Sequence, residues 1–465
     1  MVSKGVIAYA YIAAVNVSVE FGVPNSSVTR TQLNSWSQDH LEVESSKLPW
    51  NEFAGVFYFK VFRNGLQIAY EWNKINSYTG NLEGGSMSSI ANTKCHRVDG
   101  LIITFGFYDA GSGVAGLTNK DQCWVTVSMD QSNWMSNCAP AGSLSAEKPF
   151  TTFALPGPHD CGMNSMESSD LVLNSAAVGF LEAALKVQLG LALAAFIASG
   201  QADKVIYGTA ITQKESVEDM LALGARYFEF RPGRFPQPVR SVSGLGDKYY
   251  YMHLCIPGMA YDDFLDRVLE FLHANPQEIV VIQLRTDGII DEIETPSTDE
   301  KQAIINTALK RHPGIAVGTL QDMLKSTIRQ LRDQSKRLIV LDEIHQYSSY
   351  DDQLYATLDG ETIIKALARM NTAGQVGRPM TLLQCQATAT NVTDAVVYSV
   401  AAANSSTSIL MSTKAVCDTK THPWLVANVA NLKERELVVV MNDFFDGATA
   451  DITIGLNASR FGQKF

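Results

Sequence analysis

The chain has 465 residues, of which 46% are apolar and 18% are charged, and its formal net charge is -11 at pH 7. This length is enough for two or three domains, and the composition is that of a globular protein, which excludes an intrinsically disordered one. Because the net charge is strongly negative, nucleic acid and strongly anionic membranes are not expected as partners.

The cysteines and the apolar runs narrow the class of protein further. Seven cysteines are scattered along the chain, at Cys95, Cys123, Cys138, Cys161, Cys255, Cys385 and Cys417. None belongs to a Cys-x-x-Cys motif, which argues against a zinc ribbon or a dense disulfide framework. A single disulfide bond within residues 95–138 is left as an alternative. No uncharged apolar run reaches the ~18 residues of a membrane span. The compartment is not determined, and a cytoplasmic location is favoured over a secreted one.

Residues 1–140 have the pattern of an all-β domain. The apolar residues 5–15 predict a first strand, with a short secretory signal as the alternative. Aromatic and β-branched segments at 56–62 and 100–108 predict further strands, and turn-forming clusters such as Asn64-Gly65 separate them. We therefore expect a sandwich-like domain of unknown role, which packs on the rest of the chain or binds a membrane or a sugar. Its tryptophans are expected in the core, with a ligand site as the alternative: Trp36, Trp50, Trp72, Trp124 and Trp134.

The chain changes character after the short, turn-rich segment 141–150, which predicts a linker. From 151 to 465, apolar strands alternate with helices. Helices are predicted at 261–274 and 320–334, and strands at 279–284, 337–341 and 436–441. Strands that are apolar throughout indicate a parallel sheet with both faces buried, and a long series of such units predicts an α/β fold of the TIM-type (β/α) barrel class, regular or distorted. A barrel of this kind carries its active residues at the C-terminal ends of the strands.

The apolar residues 171–198 predict one helix of this region, with Glu182 and Lys186 as an i,i+4 pair. A helix packed on the barrel or on the N-terminal domain is favoured, and a helix that dips into a lipid surface is the alternative. Contact with a membrane surface is therefore expected to be transient.

Polar side chains follow four predicted strands, where a barrel carries its active residues. The first strand runs into a Pro-Gly turn and the His-Asp pair at 159–160. Glu229 and Arg231 lie two residues apart and thus on one face of the next strand. An aromatic strand ends in His253, and a buried strand near the C-terminus ends in Asp443.

These strand ends resemble the catalytic X region of phosphatidylinositol-specific phospholipase C, particularly the bacterial, calcium-independent kind. The family's motifs match this chain, in order and spacing, at 156–161, Thr212-Gln213, 224–231, His253 and 275–278. The chain departs from the family's pattern at Pro158, Cys161, Glu229 and Pro232, and just after His253. Because these departures border the expected substrate cavity, the head-group preference stays open.

The resemblance implies that a hydroxyl of the substrate attacks its own phosphorus. His159 would take the proton of that hydroxyl, and His253 would protonate the leaving alkoxide, usually diacylglycerol, so that a cyclic phosphodiester forms. Imidazole suits both tasks because its ordinary pKa, ~6.5, lies near neutral pH, and a bell-shaped pH profile is expected. The other histidines are expected to be structural.

The resemblance also implies a cationic side chain at the phosphorus. Arg231 would balance the charge on the phosphoryl oxygens, which calcium does in animal relatives. No cofactor is therefore expected. A site in which Glu229 binds calcium is an alternative. A further alternative is that Arg231 has no catalytic role and only forms an ion pair with Glu229. Arg285, at the end of strand 279–284, would bind the head group together with Glu229.

Two carboxylates would support the histidines, because a carboxylate behind an imidazole fixes its tautomer and stabilises its charged form. Asp160 would orient the second histidine and pair with the arginine. Asp443 would support the first histidine, with Asp342 and Glu343 as alternatives for that position.

The expected partner is a phospholipid whose head group carries the attacking hydroxyl. One alternative is a phospholipase C-like phosphodiesterase that acts on a different, soluble phosphodiester. Another is a barrel repurposed to bind a membrane or a ligand without turnover. The sequence does not determine the oligomeric state.

Overall fold

The computed structural model describes residues 2–111, 120–189, 208, 210–342, 346–350, 359–372, 380–388, 408, 410–429 and 437–462. This part of the chain comprises a β-rich N-terminal region followed by a mixed α/β region.

The N-terminal region consists of two sheets that share one apolar core. Its strands are β1 Ser3–Ile12, β2 Val17–Val23, β3 Ser26–Arg30, β4 Trp36–Glu44, β5 Ala54–Arg63, β6 Leu66–Asn76, β7 Leu82–Gly85, β8 His96–Val98, β9 Leu101–Tyr108 and β10 Asp121–Met129. The strand orders are β4-β1-β10-β9-β8 and β3-β2-β5-β6-β7. Alternate side chains of both sheets meet in the core, where the rings of Phe59 and Phe105 lie 5.1 Å apart. The expected β-rich N-terminal domain is therefore present, and the first apolar stretch is the strand β1.

The α/β region alternates strands and helices as the sequence predicts. Its strands are β11 Ala154–Pro158, β12 Tyr227–Phe230, β13 Pro232–Gly233, β14 Tyr250–His253, β15 Ile256–Ala260, β16 Val280–Leu284, β17 Ala316–Gly318, β18 Lys336–Leu341, β19 Gln346–Ser348, β20 Met380–Gln384 and β21 Leu437–Asn442. Its helices are α1 Trp134–Cys138, α2 Glu167–Leu173, α3 Val178–Leu189, α4 Val217–Leu223, α5 Gln237–Ser243, α6 Tyr261–Ala274, α7 Thr298–Arg311, α8 Leu320–Lys325, α9 Ile328–Asp333, α10 Gly360–Thr372, α11 Met411–Asn428 and α12 Gly447–Phe461.

Two parallel sheets of four strands form the centre of this region, in the orders β11-β21-β20-β19 and β12-β16-β18-β17. A small antiparallel sheet contains β13, β14 and β15. The parallel sheets meet where the backbone nitrogen of Arg226 donates to the carbonyl of Pro156 at 2.9 Å, so that β11 and β12 are neighbours. Hydrogen bonds among the described strands do not join the sheets into a ring. The region is thus mixed α/β with several sheets, and a closed barrel stays a prediction.

The N-terminal sheet that contains β1, β9 and β10 is covered on both faces. One face packs on the other sheet of the sandwich, and the opposite face packs on α11 and α12. Tyr11 donates to Asp451 of α12 at 2.8 Å, and Nε1 of Trp36 donates to Nδ1 of His422 in α11 at 3.1 Å. Trp124 is buried in the same contact. The N-terminal region therefore packs directly on the α/β region.

Two predicted helices differ from the observed ones. The prediction of a single helix at 320–334 is wrong, because the structure has two helices there, α8 and α9. The side chain of Thr327 accepts from the backbone nitrogen of Gln330 and so starts α9 with its own capping box. The helix expected at 171–198 is divided into α2 and α3, and Val172 and Leu181 pack in the α/β core. Residues 190–198 of that prediction lie outside the described residues.

The segment 141–150, predicted to be a linker, makes buried contacts. Ala146 and Phe150 are buried, and Phe150 shares an apolar core with Met323 of α8 and Phe461 of α12. All seven cysteines are free thiols, so the bridge considered within 95–138 is absent. Among the described helices, none has both the length and the apolar character needed to cross a membrane.

Candidate active site

His159 follows directly on the C-terminal end of β11. Its backbone nitrogen donates to the carbonyl of Asn442 at 2.9 Å, which continues the parallel pairing of β11 with β21. This pairing brings Asp443, the residue after β21, next to the imidazole, and Nδ1 of His159 lies 2.8 Å from Oδ1 of Asp443. Burial lowers the pKa of His159, but the carboxylates of Asp160 and Asp443 raise it more, to about 9.

Asp160 lies at the centre of the charged groups. Its backbone has a φ of 46°, a left-handed conformation that aspartate tolerates better than most residues. Its carboxylate is 3.4 Å from the guanidinium of Arg231, 3.6 Å from Nε2 of His159 and 3.7 Å from Nε2 of His253. The hydroxyl of Tyr251 donates to the same carboxylate. Burial would raise the pKa of Asp160, but the positive charge of Arg231 and the two imidazoles hold it well below the ordinary value.

Arg231 and Arg285 share one buried carboxylate. Arg231 follows β12 and donates to Oε1 of Glu229 at 2.7 Å, while Arg285, which follows β16, donates to Oε2. Arg285 also pairs with Asp287 through its Nε at 2.8 Å. Nε of Arg231 is buried and has no hydrogen-bond partner among the described residues. Glu229 therefore lies between two guanidiniums, each of which has a further carboxylate beside it: Asp160 beside Arg231 and Asp287 beside Arg285.

His253 comes from the small antiparallel sheet, where it ends β14. Its side chain is 29% exposed, and its Nε2 lies nearest to Oδ2 of Asp160, whereas Nε2 of His159 lies nearest to Oδ1. Burial lowers the pKa of His253 below its ordinary value of 6.5, and the positive charge of Arg231 acts in the same direction. At neutral pH, His159 is thus the charged histidine and His253 the neutral one.

A cavity of about 450 Å³ connects these groups. All seven side chains predicted as catalytic or substrate-binding line it, namely His159, Asp160, Glu229, Arg231, His253, Arg285 and Asp443. The rest of the lining is largely neutral and polar, from Thr212, Asp287, Ser348, Tyr350, Gln384, Gln386, Ala387, Thr388 and Leu410. One side of the cavity therefore carries the charges, and β19 and β20 contribute hydroxyls and amides.

The structure distinguishes the competing carboxylates. Asp342 is exposed and pairs with Lys301 at 2.5 Å, away from the histidines, so that Asp443 and not Asp342 contacts His159. Glu343, the other competitor, lies outside the described residues.

Sequence reasoning did not give a role to two residues that hold this site together. Tyr251, buried in β14, donates to Asp160. Gln213 donates to the carbonyl of His159 at 2.6 Å, and its Oε1 accepts from the backbone nitrogen of Phe445 at 2.8 Å. Both belong to motifs that were noted in the sequence, an aromatic strand and a Thr-Gln pair, but their partners lie far away in the chain.

Comparisons with known proteins give a partial likeness. No protein-family model and no curated protein matches the chain. The phosphatidylinositol-specific phospholipase C from Listeria monocytogenes aligns with 72% of this chain and 100% of its own, at 16% identity and a TM-score of 0.39. A mutant of the phosphatidylinositol-specific phospholipase C from Staphylococcus aureus aligns with 70% of this chain and 96% of its own, at 15% identity and a TM-score of 0.41. At these values the similarity establishes neither a shared fold nor a shared activity.

Proposed function

We propose that this protein cleaves a phosphodiester by intramolecular attack of a substrate hydroxyl on phosphorus, with phosphatidylinositol as the substrate. The products are diacylglycerol and a cyclic inositol phosphate. One observation carries the proposal: His159, His253 and Arg231 surround one cavity and each lies within 3.7 Å of the carboxylate of Asp160. Two proton carriers and a fixed cation are what this reaction requires.

Arg231 binds a non-bridging oxygen of the phosphodiester in this proposal. Its guanidinium stays charged at every working pH, since the carboxylates of Asp160 and Glu229 raise its pKa against the effect of burial. Its buried Nε has no partner among the described residues, so the group retains an unused donor. A planar guanidinium can also engage two oxygens at once, which holds the phosphorus in line with the attacking hydroxyl.

The proton transfers balance across the two histidines. Nε2 of His159 accepts the proton of the attacking hydroxyl while its Nδ1–H stays bonded to Asp443. The hydroxyl oxygen bonds to phosphorus, the bond from phosphorus to the diacylglycerol oxygen breaks, and His253 donates a proton to that oxygen. Exchange with water then returns each imidazole to its starting state.

The charges of the free protein are the reverse of those that this step needs. Asp160 and Asp443 keep the proton on His159 up to about pH 9, and burial keeps His253 neutral at neutral pH. Only the fraction of molecules with His159 neutral and His253 charged reacts. That fraction is constant between the two pKa values and falls on both sides, so the profile of kcat/KM is a bell with a flat top.

Calcium is not part of the proposed mechanism. Glu229 is the candidate calcium ligand in the alternative mechanism, but both of its carboxylate oxygens accept hydrogen bonds from guanidiniums. A divalent cation at this position would face two fixed positive charges at short range. The donor set around Glu229 therefore does not fit calcium.

The neutral side of the cavity supports a hydroxyl-rich head group. Nε2 of Gln384 donates to the hydroxyl of Ser348 at 2.8 Å, and Oε1 of Gln386 is buried without a partner among the described residues. Amide and hydroxyl groups both donate and accept hydrogen bonds, as the hydroxyls of a polyol do. We extend the proposal to the fold, with the two parallel sheets as parts of one distorted (β/α) barrel within residues 151–465.

The test is turnover of phosphatidylinositol with a metal chelator present. We expect the wild-type protein to release a cyclic inositol phosphate under these conditions, and His159→Ala to lower kcat by about a hundredfold or more. Full activity of His159→Ala would refute the mechanism, and activity only with added calcium would refute the role of Arg231. Turnover of a soluble phosphodiester, but not of the lipid, would refute the substrate.

A further inference from the structure

A buried set of ion pairs joins α11 to the N-terminal end of α12. The ammonium of Lys414 pairs with Oδ2 of Asp418, four residues further along α11, and lies 3.1 Å from Oδ2 of Asp446. Asp446 is the N-cap of α12, where its Oδ1 accepts from the backbone nitrogen of Thr449 at 2.9 Å. All three charged side chains are buried, so Lys414 is the counter-ion that allows two carboxylates to lie in the core. We call Lys414, Asp418 and Asp446 the α11 cluster.

The α11 cluster is bonded to Asn442, the last residue of β21. Nδ2 of Asn442 donates to Oδ1 of Asp418 at 2.8 Å and to the hydroxyl of Thr449 at 3.1 Å. These two acceptors determine which end of the amide carries the hydrogens. Oδ1 of Asn442 therefore faces the opposite way and accepts from the backbone nitrogen of Asp443 at 3.0 Å.

The same asparagine also holds the backbone of His159. Its carbonyl accepts from the backbone nitrogen of His159 at 2.9 Å and from Nε2 of Gln213 at 3.1 Å. Both partners of the hydrogen bond between His159 and Asp443 are therefore anchored on Asn442, one through its carbonyl and the other through its side chain. A displacement of the Asn442 side chain would change the distance between the carboxylate and the imidazole.

The N-terminal region covers the α11 cluster. Nε1 of Trp36 donates to Nδ1 of His422, so the hydrogen of this neutral imidazole is on Nε2, which lies 3.6 Å from Oδ1 of Asp418. Burial lowers the pKa of His422, which keeps the imidazole neutral. Nζ of Lys414 lies 5.6 Å from the ring centroid of Trp124. Charges that are shielded from water in this way interact more strongly than they would at the surface.

The other titratable groups around Asp418 keep their charge state where His159 titrates. Burial lowers the pKa of Lys414, but the carboxylates of the α11 cluster raise it more. Burial raises the pKa of the neighbouring thiols of Cys385 and Cys417 far above neutrality. A change in the titration of His159 can therefore be read without a second titration in the cluster.

We propose that Asp418 is a positioning residue for the active site: it holds Asn442, and through it Asp443, against the imidazole of His159. Lys414 supplies the charge that keeps Asp418 in the core. This inference rests on the proposed function, in which Asp443 holds the Nδ1–H of His159 during proton transfer. It also gives the N-terminal region a role, because its tryptophans cover the α11 cluster.

The test is the basic limb of the pH profile of kcat/KM, measured with a soluble phosphodiester. Asp418→Ala removes an acceptor of Asn442 but leaves Lys414 with its second carboxylate. Asp443 is then held less closely, and its carboxylate raises the pKa of His159 less. The basic limb should therefore shift to lower pH, by about half a unit or more.

Asp446→Asn is the matched control. It removes one negative charge from the α11 cluster, whereas Asn442 is bonded to Asp418. Asparagine caps a helix about as well as aspartate does, so α12 keeps its N-cap. The basic limb of Asp446→Asn should stay at the wild-type position. A shift as large as that of Asp418→Ala would overturn the inference, because the loss of any charge in the cluster would then explain both.

Two further variants separate positioning from a direct effect of charge. If Asp418 acts through Asp443, the double variant Asp418→Ala with Asp443→Asn should have the basic limb of Asp443→Asn alone. Additive shifts would overturn the inference. Asn442→Ala leaves the α11 cluster intact and should shift the limb as Asp418→Ala does, so it provides the test if Asp418→Ala does not fold.

Nuclear magnetic resonance of histidine-labelled protein separates this inference from the proposed function, because it measures the pKa of His159 without a substrate. A lower pKa in Asp418→Ala, together with no turnover of any phosphodiester by the wild type, would reject the proposed function and retain the positioning role. Turnover by the wild type, together with the same pKa of His159 in Asp418→Ala, Asn442→Ala and wild type, would reject the positioning role and retain the proposed function.

Discussion

Nδ1 of His159 lies 2.8 Å from Oδ1 of Asp443, although 284 residues separate the two in the chain. The parallel pairing of β11 with β21 brings them together, since Pro158 is opposite Asn442 in the register. The hydrogen bond to the carboxylate places the proton of a neutral imidazole on Nδ1 and leaves Nε2 to face Asp160 at 3.6 Å. The protonation of His159 is therefore set by two carboxylates from different strands.

Replacing one of these carboxylates should move one limb of the pH profile. Asp443→Asn removes a charge that helps raise the pKa of His159 to about 9, so this pKa should fall. The imidazole then loses its proton at lower pH, and the basic limb of kcat/KM shifts to lower pH. The acidic limb, which reflects His253, should stay where it is. The measurement is kcat/KM against pH with a soluble phosphodiester.

Asp342→Asn is the matched control for this profile. Asp342 is exposed and bonded to Lys301, so its loss should leave both limbs at the wild-type positions. A basic limb that is the same in Asp443→Asn and wild type would show that Asp443 does not set the pKa of His159.

The leaving group should separate the roles of the two histidines. An alkoxide needs a proton as it departs, whereas a nitrophenolate leaves without one. His253→Ala should therefore lose about a hundredfold in kcat on an alkyl ester and much less on the nitrophenyl ester of the same head group. His159→Ala should lose a similar factor on both esters, because the attacking hydroxyl is unchanged.

The measurement is kcat for each variant on both esters, relative to the wild type. If His159→Ala were the variant rescued by the nitrophenyl ester, the assignment of acid and base would have to be exchanged. That result would agree with the resting charges, in which His159 carries the proton at neutral pH.

The sequence predicted which side chains line the cavity better than it predicted the architecture around them. The two histidines, the arginine and their carboxylates could be found because each lies at the end of a short strand or within two residues after it. All of these strands except β14 are parallel, and parallel strands bring their C-terminal ends together. Helix α6 was predicted with the bounds Tyr261–Ala274 that it has. The break before α9 was missed because Thr327 caps a new helix within a sequence that otherwise suits helix throughout.

Contacts between distant segments were beyond the reach of sequence patterns. The hydrogen bond from Tyr251 to Asp160 joins an aromatic strand to a turn 91 residues away, and nothing in the local sequence marks it. The expectation that the tryptophans lie in the core holds for Trp124 but is wrong for Trp50, which is 95% exposed, and sequence pattern alone did not distinguish the two. Local pattern specifies which face of an element is apolar, whereas tertiary packing decides what covers that face.

The two guanidiniums around Glu229 should differ in the kinetic parameter that they control. Arg231→Lys keeps a positive charge but loses the planar fork, so kcat should fall, on the order of a hundredfold if the fork acts mainly in the transition state. Arg285→Lys should raise KM with little change in kcat, because this residue contacts the head group in the ground state and the transition state alike.

Initial rates over a range of substrate concentrations provide the measurement for this pair. A change of KM alone in Arg231→Lys would contradict its contact with the reacting phosphoryl group. A fall of kcat in Arg285→Lys as large as that in Arg231→Lys would indicate that both arginines act on the phosphorus.

The motifs at 224–231 and 275–278 also contain a buried ion pair, between Arg226 and Glu278, which should contribute to stability and not to catalysis. Arg226 and Glu278 are both fully buried, and two guanidinium nitrogens of Arg226 lie 2.9 and 2.7 Å from Oε2 of Glu278. Neither residue lines the cavity. Removing Glu278 leaves the buried charge of Arg226 without a counter-ion, although its guanidinium still donates to backbone carbonyls, so Glu278→Ala should lower the free energy of unfolding by about 3–5 kcal/mol.

The matched control is Glu218→Ala, which removes one partner of the exposed pair with Arg267 and should change the free energy of unfolding by about 0.5 kcal/mol or less. Thermal unfolding followed by circular dichroism should show a much lower Tm for Glu278→Ala than for Glu218→Ala. The double variant Arg226→Met with Glu278→Leu should recover part of the loss, because it removes both charges from the core. Equal Tm values for the two single variants would mean that water or neighbouring carbonyls compensate the charge of Arg226. A lower kcat of Glu278→Ala at low temperature, with an unchanged Tm, would instead indicate that this ion pair influences the cavity.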